Sequence, residues 1–224
     1  MSGVAKGQGA VRMRLALAVP AILLLMAPAA GAQDLPMARE MRRGYDRAQW
    51  GDWEPKEGCM TTRHFVLARD SLVAPTIRNC KVVAGRWRDA WTGELLRDPK
   101  AIEIDHTVPV QEAHDSGGHA WPTDRRHQFF NDPENLVVTG RDTNSRKSGS
   151  GPETWLPNDP ARRCDFVRLW VRIKTKWQLA ADAREVAALR EVVDDCPPPG
   201  AAANEAVAPS PGPAGPLSSG DLYR

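Results

Sequence analysis

Ala101-Ile102-Glu103-Ile104-Asp105-His106-Thr107-Val108-Pro109 is the stretch on which the fold turns. Apolar Ile102 and Ile104 alternate with Glu103 and Asp105, the period of a half-buried strand, and Pro109 stops the run shortly afterward. Farther on, Leu136-Val137-Val138-Thr139 reads as a second strand, ended by Gly140. Behind it, Asp142 or Thr143 is placed to cap a short helix through Asn144, Arg146 and Lys147. The order strand, excursion, strand, helix predicts an α+β fold.

Outward from that core, Met37, Met41, Tyr45 and Ala48 recur at helical spacing and predict a first helix from Met37 to Gln49. A second is expected from Arg63 to Asp70, with Thr61 or Thr62 as its cap. Lys81 to Val83 and Arg86 to Trp87 read as short strands before a turn at Trp91-Thr92-Gly93. Toward the C-terminus, Phe166, Leu169, Trp170 and Ile173 form one apolar stripe and Val186, Leu189, Val192 and Val193 another, both read as core-facing helices. The sequence has no internal repeat, no Gly-rich phosphate loop and no G-x-S-x-G elbow.

Both ends have a different character. Lys6, Arg12 and Arg14 precede an apolar run of 12 residues, Leu15 to Met26, and small residues follow to Ala32. This is the layout of a secretory signal peptide spanning 1–32; a membrane-spanning helix would need roughly 20 apolar residues. Residues 197–224 are rich in Pro, Ala, Gly and Ser and have too little apolar side chain to offset ordering entropy, so a disordered tail is expected. Between them, 33–196 is long enough for one domain.

The expected leader carries three of the 30 Lys and Arg and no acidic residue, leaving 27 basic against 28 acidic side chains. Global charge therefore gives no attraction to nucleic acid, and any such attraction must be local. Cys59, Cys80, Cys164 and Cys196 make an even set in a chain expected to be exported, which predicts two disulfides. Of the three pairings, Cys59 with Cys80 and Cys164 with Cys196 is favoured because each closes a local loop. No C-x-x-C pair supports a structural zinc site.

The chemistry gathers around Asp105 and His106. Adjacent residues at a strand end present a carboxylate and an imidazole together, although the dipeptide alone is a weak signal. It gains weight from Asn135, which opens the second strand, and from Asn144 and Lys147 beyond it. Read as D-H-T-V-P, F-F-N-D-P-E-N-L and N-S-R-K-S, the sequence resembles the HNH, or His-Me finger, nucleases. More narrowly it is similar to exported single-domain relatives of the C-terminal nuclease domain of GmrSD restriction enzymes. The upstream C-K-V-V-A-G-R-W-R-D-A-W-T-G, the intervening H-D-S-G-G-H-A-W-P-T-D-R-R-H-Q-F-F-N-D and the downstream G-P-E-T-W-L-P extend the likeness. Thr107 and Val108 depart from the family's bulkier apolar pair after the His.

The resemblance implies a ββα-metal core with added helices, stapled by the two disulfides, and a secreted endonuclease that cuts nucleic acid, DNA first. It makes His106 the general base, Asp105 and Asn144 the metal ligands, Asn135 an orienting residue and Lys147 a phosphate-facing cation. A neutral imidazole accepts a proton from attacking water, and a hard dication neutralises phosphate charge. An oxygen-rich shell with open positions suits one magnesium ion, with manganese as a substitute and zinc or nickel only if another His joins. No protein partner is implied, and no membrane once the leader is cleaved.

Among the remaining histidines, His127 beside Arg125 and Arg126 is the strongest further candidate, ahead of His114, His119 and His64. A histidine so placed is more often a surface or packing residue. Arg125, Arg126, Arg141, Arg146, Lys147, Arg162 and Arg163 are the candidates for a local basic patch; Trp121 and Trp155 are candidates to stack on unpaired bases but read mainly as core. The competing readings are a secreted binding module that keeps the fold without catalysis, and a hydrolase of another phosphoester.

Overall fold

The computed structural model describes residues 34–56 and 59–197; the expected leader at 1–32 and all but the first residue of the expected tail at 197–224 lie outside the described residues. In chain order the elements are α1 (Thr62–Arg69), β1 (Thr76–Arg78), β2 (Lys81–Ala84), β3 (Trp87–Arg88), β4 (Leu95–Leu96), β5 (Ile102–His106), α2 (Val110–Asp115), α3 (Thr123–Phe130), β6 (Leu136–Gly140), α4 (Arg141–Lys147), α5 (Pro160–Trp177) and α6 (Ala183–Val193). The class is α+β, with the strands in three antiparallel pairs: β1 with β2, β3 with β4, and β5 with β6.

Sequence pattern and structure agree best where one apolar face meets a core. Ile104 of β5 lies opposite Val138 of β6, and His106 opposite Leu136. Ile102, Ile104, Leu136 and Val138 bury one face of this pair with Val66, Leu67, Val82 and Trp87. A second, larger core joins Trp50, Trp91, Phe129, Phe130 and Phe166 to the α5 and α6 residues Val167, Trp170, Ile173, Val186 and Leu189. Trp121 and Trp155 pack partly buried against it. Val193, placed on the α6 stripe by the sequence, is instead exposed.

The helix expected from Met37 to Gln49 does not form. Gly44 takes φ +77°, the left-handed region, and interrupts it. Met37 and Met41 are exposed rather than buried as a stripe. Met37 instead bridges Ala181 in parallel, and Met41 N donates to the Asp115 carbonyl at 2.8 Å. Only Arg47–Trp50 coil, as a short 3₁₀ helix whose cap Asp46 accepts from Ala48 N at 2.9 Å. The capping expectation for α4 also fails: Gly140 is its N-cap and no side chain caps it, because β6 runs directly into the helix.

Both disulfides follow the favoured pairing, Cys59–Cys80 and Cys164–Cys196. Closing loops of 21 and 32 residues, each contributes about 3 to 4 kcal/mol on the chain-entropy account. A buried ionic cluster ties α2, α5 and α6. Lys174 Nζ donates to Glu112 Oε1 and Glu185 Oε2, both at 2.6 Å, and to Ser116 Oγ at 2.9 Å. Two carboxylates share one ammonium there. Burial pushes the Glu185 carboxyl up to about 7; Lys174 opposes the shift and the Glu112 charge adds to it. Among the described residues no helix is long and apolar enough to cross a membrane.

Candidate active site

Alternation along β5 sends neighbouring side chains to opposite faces. Asp105 turns toward α4 and the β3–β4 turn; His106, the last paired residue of the strand, turns toward the aromatic side chains of α3 and the segment before α1.

On the first face Asp105 is 5% exposed, and each of its carboxylate oxygens accepts one bond. Lys147 Nζ donates to its Oδ1 at 3.0 Å and Trp91 Nε1 to its Oδ2 at 2.9 Å. Burial pushes the Asp105 carboxyl above the usual carboxylate range, while the Lys147 ammonium and the Trp91 N–H oppose the shift. Lys147 reaches back from the last turn of α4 and also donates to the His106 carbonyl at 2.8 Å. It has no exposed surface. The expectation that Lys147 faces phosphate is therefore not met: its ammonium is consumed inside the fold.

Trp91 is held in turn by Asp89, which sequence reasoning missed. Asp89 Oδ1 accepts from Trp91 N at 2.8 Å and Thr92 N at 3.0 Å; its Oδ2 accepts from Thr139 Oγ1 at 3.0 Å and Gly140 N at 2.7 Å. One buried carboxylate thus fixes the β3–β4 turn to the junction of β6 and α4. The available signal was an Asp two residues before a Trp-Thr-Gly turn, an arrangement that favours side-chain-to-backbone bonding.

On the second face His106 Nε2 lies 2.8 Å from the Phe130 carbonyl. A carbonyl only accepts, so Nε2 carries the hydrogen and Nδ1 keeps a free lone pair. Trp53 lies parallel to the imidazole, 5.7 Å between centroids and 7° between planes, and Phe130 packs against both rings, 4.7 Å from each. Burial lowers the His106 pKa to about 3, with the Lys147 and Arg47 cations adding to the effect against the Phe130 hydrogen bond. The imidazole is neutral at pH 7.

Asn135 acts on the backbone after His106. It is fully buried, its Oδ1 accepts from Val108 N at 2.9 Å and its Nδ2 donates to the Val108 carbonyl at 3.0 Å. Its own carbonyl accepts from Thr107 N at 2.8 Å. Asn131, also missed, does the same for the segment bearing Trp53: its amide bonds Glu54 N, Thr62 Oγ1 and the Asp52 carbonyl. Asn144 sits half-buried one turn before Lys147 on α4, and no hydrogen bond among the described residues engages its side chain.

The other histidines stand elsewhere. His64 Nδ1 accepts from Val82 N at 3.1 Å, His114 Nε2 bonds the Arg43 carbonyl at 3.1 Å, His119 Nδ1 meets the His114 carbonyl, and His127 lies 3.8 Å from Glu54. Among the described residues no three His, Cys, Asp or Glu converge as a metal-binding group. The residues expected to hold a metal are one carboxylate, Asp105, and one amide, Asn144; oxygen ligands of this kind, completed by water, would suit magnesium. An ion on Asp105 would share that carboxylate with Lys147.

Comparison with known proteins agrees with this part of the chain. Residues 67–192 match the family described as GmrSD restriction endonucleases, C-terminal domain. An uncharacterized secreted protein of Arthroderma benhamiae is 30% identical over 155 residues, covering 68% of this chain and 76% of that protein. No solved structure matches. With more than half of its length matched, the chain belongs to the family of GmrSD restriction endonuclease C-terminal domains.

Proposed function

We propose that this protein is an exported endonuclease of the HNH, or His-Me finger, type that hydrolyses phosphodiester bonds in nucleic acid, DNA first. His106 serves as general base, and β5, β6 and α4 form the ββα-metal core around one divalent ion, magnesium first. The observation that carries the reading is the bond from His106 Nε2 to the Phe130 carbonyl, which leaves Nδ1 free on a neutral ring. Such an atom takes the proton of an attacking water. His106 by itself is a weak base; a bound phosphodiester offsets the Lys147 and Arg47 cations and favours the imidazolium that forms.

Asp105 and Asn144 are the residues that would hold the metal, which when bound neutralises charge on the phosphate and the leaving 3′ oxygen. Lys147 and Trp91 fix the Asp105 carboxylate, and Asn135 fixes the Thr107–Val108 backbone so that His106 keeps its orientation. A phosphodiester laid across the end of β5 meets both faces of the strand, and the expected products carry a 5′ phosphate and a 3′ hydroxyl. Residues 1–32 act as the leader that exports the enzyme, in keeping with a secreted relative and two disulfides.

The test is supercoiled plasmid incubated in magnesium buffer with wild type, with wild type plus EDTA, and with His106→Ala. Cleavage is expected in the first alone, with unchanged circular dichroism for the variant. Undiminished cleavage by His106→Ala would refute the base assignment. If no divalent metal produced cleavage by the wild type, the reading would move to a secreted module that binds without catalysis.

A further inference from the structure

We infer that Arg47, on the N-terminal segment outside the family-matched span, is the exposed cation that binds a backbone phosphate of the nucleic-acid strand beside His106. The inference rests on the nuclease reading and adds a residue to it. Lys147, the cation that the resemblance assigned to phosphate, is sealed between Asp105 and the His106 carbonyl.

Of the other candidate cations, Arg126, Arg141 and Arg163 are each held by two or three bonds, and Arg125 and Arg162 by one polar contact each. Arg126 gives three nitrogens to Gly118, Gln49 and His119. Arg125 donates to the Trp177 carbonyl, Arg141 to Lys100 and Glu103, Arg163 to Pro157 and Asn158, and Arg162 pairs with Asp165. Arg146 lines a cleft shared with the acidic Glu94 and Asp159.

Arg47 differs in place. Its guanidinium lies 4.2 Å over the ring of Phe130, the residue whose carbonyl holds His106 Nε2. It is exposed and spends one of its five N–H donors, on the Gly51 carbonyl at 2.9 Å. The ring holds the guanidinium plane and leaves the remaining donors for an oxyanion, which suits bidentate phosphate binding. Its charge already reaches the imidazole, where it acts with Lys147. Two surfaces thus meet at His106: the Trp53 ring on one side and the Arg47 guanidinium at the rim.

The test measures binding of a DNA duplex by fluorescence anisotropy across a salt series, in a His106→Ala background that binds without cutting. Arg47→Gln is expected to lower the slope of log K against log salt by about 1 and to weaken binding roughly 8-fold at 0.1 M salt, the effect of one phosphate contact at about 0.9 log unit per tenfold in salt. Arg47→Lys should keep the slope, because charge rather than packing sets it. Arg190→Gln, at an exposed position of α6, should change neither. An unchanged slope in Arg47→Gln, or an equal fall in Arg47→Lys, overturns the inference while plasmid cleavage by the wild type still stands. Absence of both cleavage and DNA binding would instead overturn the nuclease reading, and the inference with it.

Discussion

Replacing Lys147 by Met keeps the length of the side chain and removes its charge, so it tests whether that lysine belongs to the fold or to the substrate. In the structure Lys147 has no exposed surface and donates to Asp105 Oδ1 at 3.0 Å and to the His106 carbonyl at 2.8 Å. Lys147→Met leaves a buried carboxylate with the Trp91 N–H as its remaining partner and a backbone carbonyl without one. Breaking a buried pair from one side costs about 3 to 5 kcal/mol, a large fraction of a total stability of roughly 5 to 15 kcal/mol. At about 2 to 4 °C per kcal/mol for a domain of this size, the melting temperature should fall by roughly 6 to 20 °C.

The assay is thermal unfolding followed by far-ultraviolet circular dichroism at pH 8. The double variant Lys147→Met with Asp105→Asn should recover at least half of the loss, because the uncompensated charge is gone. A phosphate-facing lysine would behave in the opposite way: melting within about 2 °C of wild type and a salt slope of DNA binding reduced by about 1. That result would refute the burial argument and restore the role implied by the family resemblance.

Asn135→Ala strands the N–H and carbonyl of Val108 in a dry site and should cost roughly 2 to 6 kcal/mol, at 1 to 3 for each buried unpaired group; urea unfolding measures it, and a loss under about 1 kcal/mol would show that the clamp is dispensable. The Glu112, Glu185 and Lys174 cluster should lose stability as pH rises from the ordinary carboxylate range, ~4.3, to about 7, since a carboxyl raised in the fold is stabilising while protonated. Glu112→Gln restores charge balance with a single acceptor for Lys174 and Ser116, so its melting temperature relative to wild type should be higher at pH 8 than at pH 5; a difference independent of pH would sink the account. Removing the Cys164–Cys196 bridge by a double Ala substitution should cost about 3 to 4 kcal/mol, read in the same urea series.

The sequence was most legible where one periodicity served one core. Ile102 and Ile104 announce β5, Leu136 and Val138 announce β6, and Phe166, Trp170 and Ile173 announce α5, because burial selects apolar residues at the spacing of the element. It misled at Met37 to Gln49, where four residues at helical spacing met no core to bury them and Gly44 took a left-handed turn. Of the candidate site residues, Asp105, His106 and Lys147 come together by direct bonds, and Asn135 joins them through Val108. Asp89, Trp91, Trp53 and Asn131 escaped notice because their importance lies in partners 14 to 79 positions away along the chain. No local pattern encodes a bond of that range.

The two faces of β5 have different provenance in the chain. The Asp105 face is built from Asp89, Trp91, Thr139 and Lys147, all inside the span that matches the family at 67–192. The His106 face draws Phe129 and Phe130 from that span but takes Trp53 and Arg47 from outside it. Asn131 bonds the backbone of Asp52 and Glu54, and the Cys59–Cys80 bridge ties the following residues to the β1–β2 turn. The carboxylate is thus set by the part of the chain shared with the family, while the wall and rim beside the base come from the segment before α1, outside the matched span. Differences among relatives in where and how a nucleic-acid strand is gripped should therefore concentrate in the residues before α1, with the Asp105 side left unchanged.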